Sequence, residues 1–262
     1  MTKTARLDVE LVRRGLTASR TESRRAIEEG KVTVKGMPAT QAASLVTPDD
    51  PIALVGPASA FVSRGGDKLD GALTRLDVGV EGRRWLDVGA STGGFTDRLL
   101  QGGATAVAAV DVGYGQLHWD LRNDPRVHVI ERTNARTLRK GDLPWPVEGV
   151  VADVSFISLT LLIEPLVSVA EPEADFVLMV KPQFEVGKDK VGRGGVVRDP
   201  DLWREAVTRV VATGSEKGLS LRDATASDLA GPAGNREFFV HLSRSGPHVP
   251  ECIERAIAEA SG

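Results

Sequence analysis

The sequence has few of the residues that build disulfide-rich, metal-binding or membrane-spanning proteins. One of its 262 residues is cysteine, Cys252, which excludes an internal disulfide and a cysteine cluster for zinc or iron–sulfur. We expect Cys252 to be a small buried hydrophobe, and we expect no metal site. No apolar run reaches the roughly 18 residues that span a bilayer. The charged N-terminus lacks the apolar core of a signal peptide, so we expect a cytoplasmic protein without stable membrane association.

The chain as a whole also has little net charge, but that charge is unevenly distributed. The formal value is −3 at pH 7, which by itself does not indicate a nucleic-acid partner. Residues 1–36, however, contain nine Lys or Arg against five Asp or Glu, which leaves −7 for the remainder. A basic module attached to an acidic body is the asymmetry expected when one end of a protein contacts phosphate groups.

The first 58 residues are predicted to form a small α+β domain. Apolar residues at helical spacing predict a helix that Gly15 can end. A second short helix follows, with Thr21 or Ser23 as its N-cap. Residues 31–36 then alternate polar and apolar side chains, as a short strand does. Prolines and glycines mark the end of this domain, and we place the linker at 59–63.

Residues 64–262 alternate short apolar, β-rich runs with helical stretches. This pattern predicts an α/β fold with a mainly parallel, doubly wound sheet covered on both faces. The last two strands are not separated by a helix, and we expect them to form an antiparallel hairpin. Seven strands with such an ending match the methyltransferase variant of the Rossmann-like fold. The predicted strands are 85–88, 106–112, 127–131, 150–154, 176–180, 219–226 and 238–243.

A glycine-rich loop, 87–97, follows the first of these strands and opens a helix. It has no Gly-Lys-Ser/Thr step and no dinucleotide spacing, which excludes the two common phosphate-binding loops. The acid at the strand end, Asp87, favours a ligand with positive charge, and S-adenosylmethionine offers both a sulfonium and an amino group. Asp111, at the end of the next strand, is placed to hold two ribose hydroxyls. The alternative is a glycine-rich turn with no ligand. The predicted cofactor-binding residues are Asp87, Gly89, Ser91, Thr92, Gly93, Gly94, Phe95, Asp111 and Asp153.

Four charged residues stand where a fold alone would not require them: Lys68, Asp153, Lys181 and Glu237. They are similar to the lysine–aspartate–lysine–glutamate tetrad of FtsJ-like 2′-O-ribose methyltransferases. A ribose hydroxyl must lose its proton as it attacks a methyl group. A lysine can take that proton only when its pKa falls, which burial and a second ammonium favour. We predict that Lys181 is the general base, that Lys68 is its like-charged neighbour, and that Asp153 and Glu237 orient the lysines. The alternative is a structural ion-pair network without chemistry.

Over nearly its full length, the chain resembles the TlyA family. The residues that carry the resemblance are 6–8, 19–20, 27–36, 63–69, 87–97, 152–158, 180–185 and 235–239. The resemblance implies an S4-like RNA-binding domain at 1–58 and an FtsJ-like methyltransferase domain at 64–262. It also implies S-adenosylmethionine-dependent 2′-O-methylation of cytidine in 16S or 23S ribosomal RNA, or both, with ribosomal subunits as partners. A link to capreomycin susceptibility would follow.

Basic residues of the first domain are predicted to contact RNA phosphates, and the alternative for each is a solvated helical face. A glycine-rich basic stretch, 187–197, is predicted either to cover RNA as a lid or to be a plain flexible loop. Rival functions are a haemolysin or membrane-active protein, a non-catalytic RNA-binding factor and a small-molecule methyltransferase. The amphipathic segment 251–260 is acidic, which disfavours binding to anionic lipid. The predicted RNA contacts are Arg6, Arg20, Arg24, Arg25, Lys31 and Lys35.

Overall fold

The computed structural model describes residues 4–54, 60–231 and 234–261. The chain divides into two compact units, a first unit of residues 1–58 and a second unit of residues 59–262. The predicted domain boundary at residue 58 and the start of the predicted linker, 59–63, lie outside the described residues. Both boundaries therefore remain predictions.

The first unit packs two short helices against two small antiparallel sheets, in agreement with the predicted α+β domain. Its elements are β1 (Ala5–Arg6), α1 (Leu7–Arg13), α2 (Arg20–Glu28), β2 (Val32–Val34), β3 (Met37–Pro38), β4 (Leu45–Val46) and β5 (Ile52–Leu54). β1 pairs with β4, and β2 lies between β3 and β5. The buried core consists of Leu7, Leu11, Ile27, Val32 and Val46.

Short-range contacts fix the helix ends of the first unit. Gly15 follows α1 with a φ of 69°, a left-handed conformation that ends the helix as predicted. α2 begins at Arg20, and its N-cap is Ser19, whose Oγ accepts a backbone hydrogen bond at 3.2 Å. The predicted caps Thr21 and Ser23 are wrong, because the helix begins before both of them.

The second unit is built on a seven-stranded sheet with the strand order β11-β12-β10-β9-β6-β7-β8. The five strands β6 to β10 are parallel to one another, and β12 is antiparallel to both β10 and β11. Its elements are α3 (Arg64–Arg75), β6 (Arg84–Val88), α4 (Gly94–Gln101), β7 (Ala106–Val110), α5 (Trp119–Arg122), β8 (Val127–Ile130), β9 (Val147–Ala152), α6 (Ile163–Val169), β10 (Ala170–Val180), α7 (Pro182–Glu185), α8 (Pro200–Glu216), β11 (Ser220–Ala226), β12 (Phe238–Ser243) and α9 (Cys252–Ser261).

All seven predicted strands of this unit are confirmed, and so is the antiparallel pairing of the last two. β10 differs most from expectation, because it begins at Ala170 and not at residue 176. Ala170 pairs with Val147, and the register then shifts before Asp175 pairs with Gly149. The residues between these two pairs form an irregular part of the strand, which strand-like alternation does not reveal.

The order and direction of the strands place the predicted site residues at one edge of the sheet. Parallel strands β6, β7, β9 and β10 all end at this edge, and the antiparallel strand β12 begins there. Helices α3 and α4 cover one face of the sheet, and α6, α8 and α9 cover the other. Ligands of open α/β sheets bind beside the carboxyl ends of the parallel strands, so this edge is where a site is expected.

The amphipathic C-terminal segment is a core helix. Apolar residues of α9, among them Ile253 and Ile257, are buried in the main hydrophobic core. Cys252 is also buried there, and burial raises the pKa of its thiol to about 11. The apolar face of α9 is therefore already covered. Within the described ranges, none of the helices has both the length and the apolar character needed to cross a membrane.

Candidate active site

A cavity of about 460 Å³ opens at the carboxyl edge of the sheet, beside the ends of β6, β7 and β9. Gly89 lies directly after β6 with a φ of 83°, and a Cβ at this position would collide with the carbonyl oxygen of Asp153. Glycine therefore lets the segments after β6 and β9 approach each other closely. The lining residues are Val88, Gly89, Ser91, Val110, Asp111, Val112, Gln116, Thr133, Asn134, Ala135, Asp153, Val154, Ser155, Phe156, Ile157 and Leu162.

Asp111 is held rigidly in the wall of this cavity. Its Oδ2 accepts a hydrogen bond from the backbone N–H of Ser91 at 2.8 Å, and its Oδ1 accepts one from Gly113 at 2.7 Å. Each carboxylate oxygen has further acceptor capacity. A fixed carboxylate with two free acceptor directions suits a pair of neighbouring hydroxyls, such as those of a ribose.

Asp87 is fully buried beneath the glycine-rich loop. Its Oδ2 accepts a hydrogen bond from Thr96 Oγ1 at 2.6 Å, whereas Oδ1 has no partner among the described residues. Burial raises the pKa of Asp87 to about 7, and the negative charges of Asp153 and Asp111 act in the same direction. An orphaned, buried carboxylate oxygen is costly unless a donor or cation reaches it, so this acid fits a positively charged ligand.

The nine predicted cofactor residues separate into two groups. Gly89, Ser91, Asp111 and Asp153 line the cavity. The other five lie outside its lining and shape the loop and the core beneath it. For example, Phe95 is buried, and the centroid of its ring lies 6.1 Å from the ring centroid of Phe239. The members of this second group are Asp87, Thr92, Gly93, Gly94 and Phe95.

The four predicted catalytic residues form two ion pairs. Lys68 Nζ lies 2.6 Å from Glu237 Oε2, and both side chains are almost completely buried, with 9% and 2% of their surface exposed. Lys181 Nζ lies 2.5 Å from Asp153 Oδ1, although the angle is not that of a hydrogen bond. Each ammonium is thus matched by one carboxylate, which compensates the cost of burying it.

The structure brings the two pairs to the same end of neighbouring strands. Val180 of β10 pairs with Phe238 of β12, and Lys181 and Glu237 are the next residues at this end of the pair. Lys181 also donates a hydrogen bond to Ser155 Oγ at 2.9 Å. Asp153 and Ser155 both line the cavity. An amine is therefore held against the wall of the cavity, where it can exchange a proton with a bound substrate.

Three functional candidates were missed by sequence reasoning: Ser155, Phe156 and Glu185. The ring of Phe156 is 92% exposed at the cavity, its φ is +66°, and its centroid lies 5.3 Å from that of Phe184. A bulky residue that is both exposed and in a left-handed conformation is unusual. An available signal was its position in the polar segment directly after a buried strand.

Glu185 is a buried acid at the end of α7. Its carboxylate accepts hydrogen bonds from Ser158 Oγ at 2.5 Å and from the N–H of Leu159 at 2.8 Å. Burial raises the pKa of Glu185. The segment between Asp153 and Leu159 is therefore tied at both ends to the short stretch that begins with Lys181.

The six predicted RNA contacts in the first unit also divide into groups. Arg6, Arg20 and Arg24 surround the buried carboxylate of Asp8, at 3.0, 3.0 and 3.3 Å. Their side chains remain 43%, 53% and 53% exposed. The hydrogen bond from Arg6 is the largest of the effects that hold the pKa of Asp8 far below its usual value. We call these three residues the arginine triad.

The other three predicted contacts lie outside this triad. Arg25 and Lys31 both pair with Glu29, at 3.0 Å each. Lys35 pairs with Asp50, also at 3.0 Å. The triad gathers three cations around one acid, whereas these residues have local partners of their own. The triad therefore leaves more positive charge uncompensated than the other three residues do.

Comparison with known proteins identifies both units. The sequence model of the S4 domain matches residues 5–52, and that of the FtsJ-like methyltransferases matches residues 61–244. The chain is 48% identical to the 16S/23S rRNA (cytidine-2′-O)-methyltransferase TlyA of Mycobacterium tuberculosis over 99% of both chains. It is also 38% identical to Hemolysin A of Brachyspira hyodysenteriae, over 90% of this chain and 99% of that one.

A solved structure agrees with these matches. A hemolysin-named protein from Streptococcus thermophilus superimposes with a TM-score of 0.79 at 35% identity, covering 99% of this chain and 96% of the other. Proteins with either kind of name are thus similar in sequence to this chain, and the hemolysin-named protein from Streptococcus thermophilus also shares its architecture. The chain belongs to the TlyA family, in which an S4 domain precedes an FtsJ-like methyltransferase domain.

Proposed function

We propose that this protein is an S-adenosylmethionine-dependent methyltransferase that methylates the ribose 2′-hydroxyl of cytidine in 16S and/or 23S ribosomal RNA. The observation that carries the proposal is the position of Lys181, whose ammonium contacts Asp153 and Ser155 in the wall of the cavity. The Mycobacterium tuberculosis relative bears the name of this activity. We expect the enzyme to work in the cytoplasm, on ribosomal subunits.

The residues at the cavity fit the cofactor. Asp111 would bind the ribose hydroxyls, and the unpartnered oxygen of Asp87 would compensate the positive charge, directly or through water. When bound, S-adenosylmethionine supplies an electrophilic methyl group on a sulfonium. The acids at the ends of β6, β7 and β9 keep this part of the site negative, which favours a cationic ligand.

The two ion pairs divide the work of proton transfer. After its ammonium has released a proton to solvent, Lys181 Nζ is a neutral amine and accepts the proton that the ribose 2′-hydroxyl loses during attack. Asp153 and Ser155 hold this nitrogen in place and stabilise the ammonium that forms. The Lys68–Glu237 pair adds a second buried ammonium at the same edge, and Glu237 compensates its charge.

The substrate RNA would be held by both units. The arginine triad offers three partly exposed guanidiniums for phosphate, which position an RNA without specifying its sequence. Phe156 is exposed and lines the same cavity as Asp153 and Ser155, so a nucleobase of the substrate can stack on its ring. We expect modification of the ribosome by this enzyme to change susceptibility to capreomycin.

The test is methylation of purified 30S and 50S subunits from cells that lack the protein, followed by mapping of 2′-O-methyl cytidines. Wild-type protein should modify at least one site. Lys181→Ala should lower the rate by about 10²- to 10⁴-fold, as expected for loss of a general base, while calorimetric affinity for S-adenosylmethionine stays within about twofold. Lys217→Ala is a suitable control, because Lys217 forms a surface pair with Glu164. Equal loss of cofactor binding and activity in Lys181→Ala would contradict the assigned role.

A further inference from the structure

The basic stretch 187–197 has no role in the chemistry described above, yet one end of it is firmly attached. Asn235 is buried, and its Oδ1 accepts a hydrogen bond from the N–H of Val197 at 3.0 Å. Its Nδ2 donates to the carbonyl oxygen of Gly195 at 2.9 Å. The end of the basic stretch is therefore fixed to the segment that leads into β12. Neither a freely moving lid nor a plain flexible loop describes this end.

A second cavity, of about 430 Å³, lies where this stretch meets the beginning of α8. Two arginines, Arg198 and Arg236, line it together with an apolar floor. The floor includes the ring of Trp203, whose Nε1 donates a hydrogen bond to the carbonyl oxygen of Val197 at 2.9 Å. We call this cavity the arginine pocket. Its lining residues are Val196, Val197, Arg198, Pro200, Trp203, Gly234, Arg236, Ala260 and Ser261.

Among the described residues that line it, the pocket has two cationic side chains and no acidic one. Across the described ranges, neither Arg198 nor Arg236 forms an ion pair or hydrogen bond through its side chain. Nearby cations on α8 differ, because Arg204 pairs with Asp201 and Glu254. Two guanidiniums that share a cavity without an acid form a natural site for an oxyanion.

The pocket lies at the same edge of the sheet as the catalytic pairs, but on the other face. Side chains alternate along the start of β12. Phe239 packs beside Phe95 on the face covered by α3, whereas Phe238 packs 6.0 Å from Trp203 on the face covered by α8. Glu237 therefore shares a face with Lys68, and Arg236 points to the opposite face.

We propose that the arginine pocket binds the phosphate backbone of the substrate RNA on the far side of the sheet from Lys68. The proposal rests on the methyltransferase function proposed above. An RNA strand whose ribose reaches Lys181 must cross the carboxyl edge of the sheet, and Arg236 directly precedes Glu237 at that edge. The apolar floor would contact a sugar or base edge while both guanidiniums bind phosphate oxygens.

The experiment measures the salt dependence of binding to purified 30S and 50S subunits and to protein-free ribosomal RNA. Loss of two phosphate contacts in the double variant Arg198→Gln/Arg236→Gln should reduce the slope of log K against log [KCl] by about 1 to 2 units. Affinity should fall on the order of tenfold at 0.1 M KCl. Affinity for S-adenosylmethionine should not change, because neither arginine lines the cavity of about 460 Å³ that contains Asp111.

A matched control removes the same charge at the other end of β12. Lys140 and Arg244 line a separate cavity of about 320 Å³, and Arg244 directly follows the last residue of this strand. The double variant Lys140→Gln/Arg244→Gln should keep the wild-type slope. If both double variants shift the slope equally, general charge and not the arginine pocket is responsible, and the proposal is overturned.

The remaining outcomes are also distinct. An unchanged slope in Arg198→Gln/Arg236→Gln overturns the proposal, and so does a change seen with whole subunits but not with protein-free RNA, which would indicate a ribosomal protein. If the double variant fails to fold, each single variant should reduce the slope by about half as much. Failure of wild-type protein to methylate any subunit would instead overturn the proposed function. The two failures can be told apart, because the salt dependence of binding is measured without methyl transfer.

Discussion

The two units of this protein arrange buried charge in opposite ways. In the first unit, the buried carboxylate of Asp8 is surrounded by three half-exposed arginines, so positive charge remains in excess at the surface. In the second unit, two lysines face two carboxylates, one to one, and the Lys68–Glu237 pair is almost completely buried. Excess, exposed charge serves to attract an anionic partner. Balanced, buried charge holds reactive groups in place without attracting counter-ions.

The largest expected effect comes from breaking the balance in the second unit. Glu237→Gln leaves Lys68 buried without its partner, which should lower the free energy of unfolding by about 3–5 kcal/mol. Urea denaturation monitored by tryptophan fluorescence would measure this loss.

A compensated variant separates stability from chemistry at this pair. Lys68→Met/Glu237→Leu removes both charges, and apolar replacement of a whole buried pair is often neutral or stabilising. Its unfolding free energy should return to within about 1–2 kcal/mol of wild type while methyl transfer remains lost. Recovery of activity together with stability would show that this pair has only a structural role.

Removing the charge of a buried acid in the first unit should mainly affect binding to ribosomal subunits. Asp8→Asn makes the unit more positive by one charge, yet the arginine triad loses the carboxylate that orients it. We expect affinity for ribosomal subunits to fall several-fold and stability to fall by about 2 kcal/mol, as for lost hydrogen bonds to a charged group. Filter binding and urea denaturation measure the two effects. Tighter binding of Asp8→Asn would mean that net charge matters more than orientation.

Asp87 sharpens the comparison, because it is an acid without a cation. Its pKa is raised to about 7 in the folded protein. Between about pH 4 and 7, the folded protein therefore keeps a proton on Asp87 that the unfolded chain releases. The contribution of this group to stability is therefore complete at low pH and is lost as the pH rises through this range. Relative to wild type, Asp87→Asn should gain stability over the same range, as thermal denaturation at several pH values would show.

The same residue should make cofactor binding pH-dependent. A cationic ligand favours the ionised form of Asp87, so wild-type affinity for S-adenosylmethionine should rise with pH toward 7. Asp87→Asn should lack this rise and bind about tenfold more weakly at pH 8, the magnitude of a lost charged contact. Calorimetric titrations at pH 6, 7 and 8 provide the measurement, and parallel pH profiles for both proteins would exclude Asp87 as the titrating group.

The smallest expected effect concerns Glu185, which positions one wall of the cavity. Glu185→Gln keeps one acceptor for Leu159 and can still bond Ser158, so the segment 154–158 should loosen without unfolding. We expect faster hydrogen exchange there and cofactor affinity a few-fold weaker, on the scale of one neutral hydrogen bond. Glu254→Gln, which alters an exposed pair with Arg204, is the control. Unchanged exchange in segment 154–158 would leave Glu185 without a positioning role.

Strand patterns were sufficient to predict the sheet and the edge where the site lies. Asp87, Asp111, Asp153 and Lys181 each end an apolar run, and the parallel topology then places them together. Periodicity is a local property, and local apolar runs define strands well. The predicted fold class is therefore confirmed in both units.

Which lysine pairs with which carboxylate could not be predicted from strand patterns. Lys68 and Glu237 pair across 169 positions, and no local pattern indicates that Lys68 binds Glu237 and not Asp153. Glu185 was missed because a buried acid in a four-residue helix resembles any surface acid until its donors are seen. Contacts between distant segments depend on the packed structure, which a single sequence does not display.

The late position of Glu237 in the chain has a consequence for synthesis. The first unit has its own core and is complete when residue 58 has left the ribosome, whereas Lys68 meets its carboxylate only after nine-tenths of the chain has been made. Domains generally fold in the order in which they emerge. A nascent chain would therefore gain affinity for RNA well before it could transfer a methyl group, and one interrupted before β12 would occupy its target without modifying it.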